Sequence, residues 1–226
     1  MILYFNKKYK KITFLKNDCY EKSFNRKFLI SIIFMIFIIV SVFIFLYTKM
    51  IYPQKIYLEA INFLNQGKYI EAERLFDIIP EYENSNKIKE QMKYEKFFLK
   101  CFNNADEFEE HNNNIKINNV EFFYDDKENF YCIANYVLKR SMDSNMKGYI
   151  VFDGDYNYIG KCSKINVKRL KNDDEKYISN LITEVYNTYQ KTTMGVNIDR
   201  VNNLIKSGNY KNIKSQTQTI NLRIIY

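Results

Sequence analysis

The hydrophobic positions of this chain begin with one unbroken run. From Phe28 to Tyr47, twenty residues carry no charge, and only Ser31 and Ser41 are clearly polar. A helix of this length spans about 30 Å, which matches the hydrocarbon core of a bilayer. A buried helix of a soluble protein keeps a polar stripe, and this segment has none. The pattern therefore predicts one membrane-spanning helix that runs from Phe28 to Tyr47.

Beyond the span, hydrophobic residues recur at helical spacing. Pro53 suits the first turn of a new helix, where its missing N–H costs no hydrogen bond. Gly67 is expected to end that helix, and the helical pattern resumes at Tyr69 and closes at Pro80. The pattern predicts an antiparallel helical hairpin and a third helix at about residues 85–102.

Ala60, Leu64, Gly67, Tyr69, Ala72 and Phe76 place small, aromatic and glycine residues along the hairpin in a fixed order. This order resembles the tetratricopeptide repeat. The resemblance covers one copy, at about residues 56–90, and implies protein–protein binding in a concave groove. Such repeats are stabilised by stacking on neighbours, so a single copy needs the third helix or the C-terminal domain as a cap. With one copy, a structural spacer is favoured over peptide binding. The hairpin packing positions are Ala60, Leu64, Gly67, Tyr69, Ala72 and Phe76.

The hydrophobic period changes after the polar segment 103–114, which we interpret as a linker. Aromatic and β-branched runs with short turn-rich connections then predict antiparallel strands. These runs are 120–124, 130–138, 148–152, 156–162 and 165–167. Helices are predicted at 174–190 and 199–207, and the run 219–226 is compatible with an edge strand.

The predicted fold class is α+β, with helices that cover an antiparallel sheet. The predicted parts are a basic tail at 1–27, the membrane span at 28–47, a tetratricopeptide-like helical segment at 53–102, the linker at 103–114 and an α+β domain at 115–226.

Charge is concentrated in front of the membrane span. Residues 1–27 hold eight basic and two acidic residues, while the chain after the span holds 26 basic and 24 acidic ones. The positive-inside rule then predicts a cytoplasmic N-terminus and an extracytoplasmic C-terminus in the cell membrane. No small-residue cleavage site follows the run, so we interpret it as an uncleaved signal anchor. The near-neutral remainder argues against a nucleic-acid partner.

Few residues of the chain suit catalysis. His111 is the single histidine, and no phosphate-binding loop, dinucleotide fingerprint or nucleophile elbow occurs. The segment 153–157 places oxygen-bearing side chains at alternate positions, but Tyr158 and Lys164 stand where a calcium-binding EF-hand has Gly and Glu. We interpret it as a tight turn with Gly154 in the unusual backbone conformation. We therefore predict no catalytic residue, no cofactor and no metal site.

The cysteines do not indicate a disulfide framework. Cys19 is predicted cytoplasmic, which leaves Cys101, Cys132 and Cys162 outside, and an odd number cannot pair completely. Cys132 and Cys162 both fall on predicted strands, so the sequence leaves open either a bridge between them or free thiols.

The leading hypothesis from these patterns is a single-pass, signal-anchored membrane protein that carries an extracytoplasmic interaction or scaffolding module. Its expected partners are the lipid bilayer and a protein of the cell envelope. The alternative is an extracytoplasmic domain that senses a small ligand, and a third possibility is an enzyme that acts on cell-wall material.

Overall fold

The computed structural model describes residues 26–111, 113–125, 129–139, 145–165, 170 and 172–215. Most of the predicted basic tail, part of the run 165–167 and the run 219–226 lie outside the described residues. The chain divides into two compact units, with the boundary between Gln54 and Lys55.

The first unit is helical. A helix begins at Arg26 and continues to Asn65, and it is the one candidate membrane span among the described residues. It consists of α1 (26–46), a π-helical turn at Tyr47–Ile51 and α2 (Tyr52–Asn65). The hydrophobic side chains of the predicted span are exposed, as they must be to face lipid; Phe43, for example, is 71% exposed.

The helix does not restart at Pro53, in contrast to our expectation. A proline inside a regular α-helix would clash with the carbonyl group four residues earlier. The wider π-helical turn lies immediately before Pro53, and there the N–H of Tyr52 donates to the carbonyl oxygen of Tyr47. The turn thus lets the helix continue through the proline.

The second unit contains α2 from Lys55 onward and the remaining helices. Gly67 takes the left-handed conformation at φ 75° and separates α2 from the next helix, as its lack of a side chain permits. The helices are α3 (Tyr69–Ile78), α4 (Ser85–Asn103), α5 (Asp173–Thr188) and α6 (Ile198–Ser207), with 3₁₀ turns at Asp106–His111 and Asn209–Ser215. The third helix and both C-terminal helices were predicted close to these bounds.

Within the described ranges, the sheet has five antiparallel strands in the order β4-β3-β2-β1-β5. The strands are β1 (Ile115–Tyr124), β2 (Phe130–Lys139), β3 (Asn145–Asp153), β4 (Tyr158–Cys162) and β5 (Gln190–Lys191). The first four form the meander that their short connections predict. The two-residue β5 pairs with the end of β1 and was not predicted, because so short a strand has no periodicity.

One large hydrophobic core joins the helical hairpin to the sheet. It contains Leu64 and Phe76 of the hairpin, Phe98 of α4, Phe122 of β1 and Leu204 of α6. The segment 103–114, which we interpreted as a linker, contributes to the same core through Phe108, which is 2% exposed. Helices therefore cover the sheet, and the α+β fold class is confirmed.

The edge of β1 is covered by a side chain. The backbone N–H of Ile117 donates to Oδ1 of Asn202 at 2.8 Å, and Nδ2 of Asn202 donates to the carbonyl oxygen of Ile117 at 2.8 Å. The amide of Asn202 thus makes the two hydrogen bonds that a neighbouring strand would make. Such coverage protects an edge strand from pairing with another chain.

Candidate functional site

The sheet has an inner and an outer face, because side chains alternate along each strand. Inner side chains enter the large core shared with the hairpin. On the outer face, α5 covers one end of the sheet and builds a second, smaller hydrophobic cluster. This cluster, the outer core, consists of Phe123, Ile133, Val151, Cys162, Ile178, Ile182 and Val185.

The other end of the outer face carries polar side chains, most of them exposed. Strand alternation and burial place them on one surface, which we call the open face. A β-bulge near Asn118 adds one more outward side chain to β1. The open face consists of Lys116, Asn118, Asn119, Asn135, Val137, Lys139, Asn145 and Lys147.

The strand register arranges these side chains in rows across the sheet. Asn119 pairs with Asn135, and Asn135 pairs with Tyr149 of β3. In the next row, Val137 lies between Lys116 and Lys147. Lysines that are two strands apart are separated by about 9.5 Å at the backbone.

A small pocket lies where the open face meets α5. Its volume is about 180 Å³, which is below the roughly 300–1,000 Å³ of pockets that enclose a drug-sized ligand. Ile133 is buried, whereas the other side chains reach solvent. Its lining residues are Asn119, Glu121, Ile133, Asn135, Tyr149 and Tyr186. The pocket has room for one small polar group.

Glu121 is the charged group of this pocket. Lys191 Nζ donates to one carboxylate oxygen and the Tyr186 hydroxyl donates to the other. Burial by itself would raise the pKa of Glu121, but the hydrogen bonds from Lys191 and Tyr186 outweigh it and lower that pKa. Burial and the neighbouring carboxylate raise the pKa of Tyr186. Glu121 is therefore an ionised, hydrogen-bonded carboxylate at neutral pH.

A second polar constellation lies inside the large core. Nη1 of Arg200 donates hydrogen bonds to the two carboxylate oxygens of Glu95, at 3.1 and 3.0 Å, and Glu95 is completely buried. The same carboxylate accepts hydrogen bonds from the hydroxyl of Tyr69 at 3.2 Å and from the backbone N–H of Asn197 at 2.8 Å. Arg200 Nε also donates to Asn65 at 3.3 Å. The carboxylate of Glu95 and the guanidinium of Arg200 thus compensate each other's charge. Together with Tyr69 and Asn65 they connect α2, α3, α4 and α6.

The three cysteines of the described chain are free and buried. Cys132 points into the large core, whereas Cys162 belongs to the outer core on the opposite face of the sheet. The bridge between them that the sequence left open is therefore not formed. Burial raises the pKa of Cys162 to about 11, and burial also raises the pKa of Cys101 and of Cys132.

The segment 153–157 is a hairpin turn, as we interpreted it. Asp153 Oδ1 accepts from the backbone N–H of Asp155 at 2.9 Å and of Asn157 at 2.8 Å. Our expectation that Gly154 takes the unusual conformation was wrong, because Tyr156 takes it at φ 65°. Asp125 accepts from Asn129 in the same way in the hairpin between β1 and β2. The aspartate side chains thus close these turns by accepting from backbone N–H groups two to four residues further along the chain.

The hairpin positions named from the sequence are all buried: Ala60, Leu64, Gly67, Tyr69, Ala72 and Phe76. All of them except Gly67, which has no side chain, belong to the large core, and the tetratricopeptide resemblance stays a prediction. At the span ends, Phe28 is 61% and Tyr47 is 47% exposed. His111 closes the 3₁₀ turn after α4.

The sequence analysis missed the residues of the open face and its pocket. One signal was available: Glu121 and Asn135 are polar residues within the otherwise apolar runs 120–124 and 130–138. The bulge near Asn118 shifts the alternation along β1, so the sequence does not place Lys116 on the same surface as Asn119 and Glu121. Tyr186 comes from a helix 65 positions after Glu121 and joins the pocket only in the folded chain.

Within the described ranges, no group of three or more His, Cys, Asp or Glu side chains could hold a metal ion. No protein-family model, no curated protein and no solved structure matches this chain. The structure itself shows two features: an apolar helix that is long enough to span a membrane, and an α+β unit whose sheet is covered by α5 over only part of its outer face.

Proposed function

We propose that this protein is a single-pass membrane protein that holds an interaction module at the cell envelope. Its N-terminus lies in the cytoplasm and residues 48–226 lie outside. The observation that carries the proposal is the uncharged, exposed helix from Phe28 to Tyr47, preceded by eight basic residues. The charge asymmetry supports the orientation, because basic flanks remain on the cytoplasmic side.

The second unit supplies the surface for interaction. The open face presents lysine and asparagine side chains to solvent beside a small pocket, while the hairpin and α6 close the opposite face. In this proposal the membrane helix restricts the module to a surface, the tetratricopeptide-like hairpin acts as a spacer and brace, and the open face meets the partner.

A topology experiment tests the proposal. All native cysteines are replaced by alanine, and one cysteine is added at the C-terminus. Intact cells are then treated with a membrane-impermeant maleimide. We expect labelling without lysis. A matched variant that retains only Cys19 reports the opposite side, so we expect it to be protected until lysis. Protection of the C-terminal cysteine in expressing cells would contradict the proposed orientation.

The pocket supports a second candidate, the sensing of a small ligand. Glu121, Tyr149 and Tyr186 bring charge and aromatic surface to one pocket. Its volume of about 180 Å³ fits one small polar group rather than an enclosed ligand, which favours the interaction module. Binding of a free small molecule in the pocket with a gain in thermal stability would reverse that preference.

A further inference from the structure

From the open face we infer that the partner is an anionic glycan, a sugar polymer that carries carboxylate or phosphate groups. The inference rests on the proposed function, since it names the class of partner that the extracytoplasmic module would meet.

The charge of the open face selects an anion. Lys116, Lys139 and Lys147 are exposed and lie on the same surface. None of them takes part in the ion pairs formed between described residues. Glu121 of the adjoining pocket is already paired with Lys191. Counting the described residues alone, three positive charges of the open face therefore remain for a ligand.

The amides of the open face favour hydroxyl groups as the other contacts. Asn118 Nδ2 donates to Oδ1 of Asn135 at 2.9 Å, and Asn119 hydrogen bonds to Glu121. These contacts hold the amides in place, while each amide keeps further donor and acceptor positions. A sugar hydroxyl both donates and accepts, so it matches an amide better than a peptide carboxylate does.

The apolar content of the open face argues against an acidic protein segment. Protein interfaces have an apolar centre and are depleted of lysine. Here Val137 is the one hydrophobic member, and it is half-buried. Tyr149 lies in the same row as Asn119 and Asn135 and offers a half-exposed aromatic ring on which a sugar ring can pack.

Retention on immobilised polymers tests the inference with the full-length protein in a non-ionic detergent. Polygalacturonate presents carboxylates on sugar, and phosphomannan presents phosphates on sugar. Dextran is the neutral glycan, polyglutamate is the anionic peptide, and vesicles of anionic phospholipid are the membrane control. We expect salt-sensitive retention on at least one of the two anionic glycans, little on dextran, and weaker retention on polyglutamate and the vesicles.

Variants of the open face test whether the glycan binds at this surface. The double substitution Lys116→Gln/Lys147→Gln should weaken glycan binding about tenfold, the loss expected for two exposed ion contacts. The matched variant Lys87→Gln/Lys206→Gln removes the same charge from exposed positions outside the open face and should change binding less than about twofold. Tyr149→Ala should weaken binding to the glycan but not to polyglutamate. Thermal unfolding confirms that each variant is folded.

Several results would overturn the inference: no retention on either anionic glycan, equal or stronger retention on polyglutamate or on vesicles, or an equal loss in the Lys87/Lys206 variant. These readouts use solubilised protein and do not depend on orientation in the cell. Failure of the glycan inference is therefore distinguishable from failure of the proposed topology.

Discussion

At the scale of single residues, the buried Glu95 shows how costly an unpaired charge would be in this core. Its carboxylate is completely buried and accepts hydrogen bonds from Arg200, Tyr69 and the backbone of Asn197. A buried ion pair is tolerated only while both partners are present, because neither charge has water to solvate it.

We expect Glu95→Ala to lower the free energy of unfolding by about 3–5 kcal/mol, since Arg200 would be left buried without its partner. The midpoint of thermal unfolding measures the change. Glu90→Ala on the same helix is the control, because the ion pair of Glu90 with Lys93 is exposed. Recovery of stability in the apolar double variant Glu95→Leu/Arg200→Met would identify the lone charge as the cause, and equal effects at residues 90 and 95 would contradict the argument.

Glu121 leads to a prediction about pH. Its pKa is lowered in the folded protein, so its ionised form stabilises the fold above the ordinary pKa of a glutamate, about 4.3. That contribution is lost as the pH falls through the folded-state pKa. We expect Glu121→Gln to cost roughly 1–2 kcal/mol at pH 7 and much less at about pH 3. Unfolding midpoints of both proteins across that range test this, and a difference that stays constant with pH would exclude it.

At the scale of elements, two glycines have the same backbone conformation and different surroundings. Gly67 and Gly208 both have φ of 75°. A Cβ at Gly67 would lie 3.2 Å from the carbonyl oxygen of Asn209 and 3.3 Å from a methyl carbon of Leu204, whereas a Cβ at Gly208 would meet nothing within 4 Å. The turn between α2 and α3 thus needs glycine for packing against α6 as well as for its conformation.

Alanine variants of Gly67 and Gly208 separate the cost of the backbone conformation from the cost of the packing contacts. We expect Gly208→Ala to cost about 1 kcal/mol, which is the strain of a left-handed alanine. Gly67→Ala should cost about 2–4 kcal/mol, because the close contacts add to the same strain. Unfolding midpoints of the two variants provide the comparison, and equal losses would show that packing against α6 contributes nothing.

A second prediction at this scale concerns Asn202 and the edge of β1. Asn202→Ala removes both hydrogen bonds to the backbone of Ile117, and we expect a loss of about 1–3 kcal/mol together with faster amide exchange at Ile117. Asn203→Ala is the matched control, because Asn203 is the exposed neighbour on the same helix. Unchanged exchange at Ile117 in the Asn202 variant would contradict the role of this side chain at the edge.

At the scale of the second unit, the hairpin, the segment 103–114 and the sheet share one core. Phe76, Phe98, Phe108 and Phe152 all belong to it. A sheet without α4 and the hairpin would expose that inner face to water, which is expected to prevent independent folding.

We therefore expect residues 55–226 to be soluble and to unfold in one cooperative transition, whereas residues 115–226 alone should aggregate or stay unfolded. Solubility and the cooperativity of thermal unfolding of the two fragments are the measurements. A folded, monomeric 115–226 fragment would show that this domain folds independently and does not need the hairpin.

Much of the architecture was accessible from the sequence, because the relevant signals are local. An uncharged run of twenty residues, an apolar stripe with helical period and a run of β-branched residues each depend on neighbours in the chain. The apolar helix from Phe28 to Tyr47, the third helix and the first four strands were therefore predictable. The continuation of the helix through Pro53 was not, since it depends on the π-helical turn before it.

The candidate site was decided by tertiary structure alone. Glu121 and Tyr186 are 65 positions apart, Ile117 and Asn202 are 85 apart, and Glu95 and Arg200 are 105 apart. No local pattern connects such residues, because their contact requires the strand register, the bulge near Asn118 and the docking of α5 and α6. The sequence by itself determined the apolar helix that is long enough to span a membrane, the charge asymmetry and the order of the helices and of the first four strands. Only the folded chain decided which polar side chains share the open face and which charges are closed inside the core.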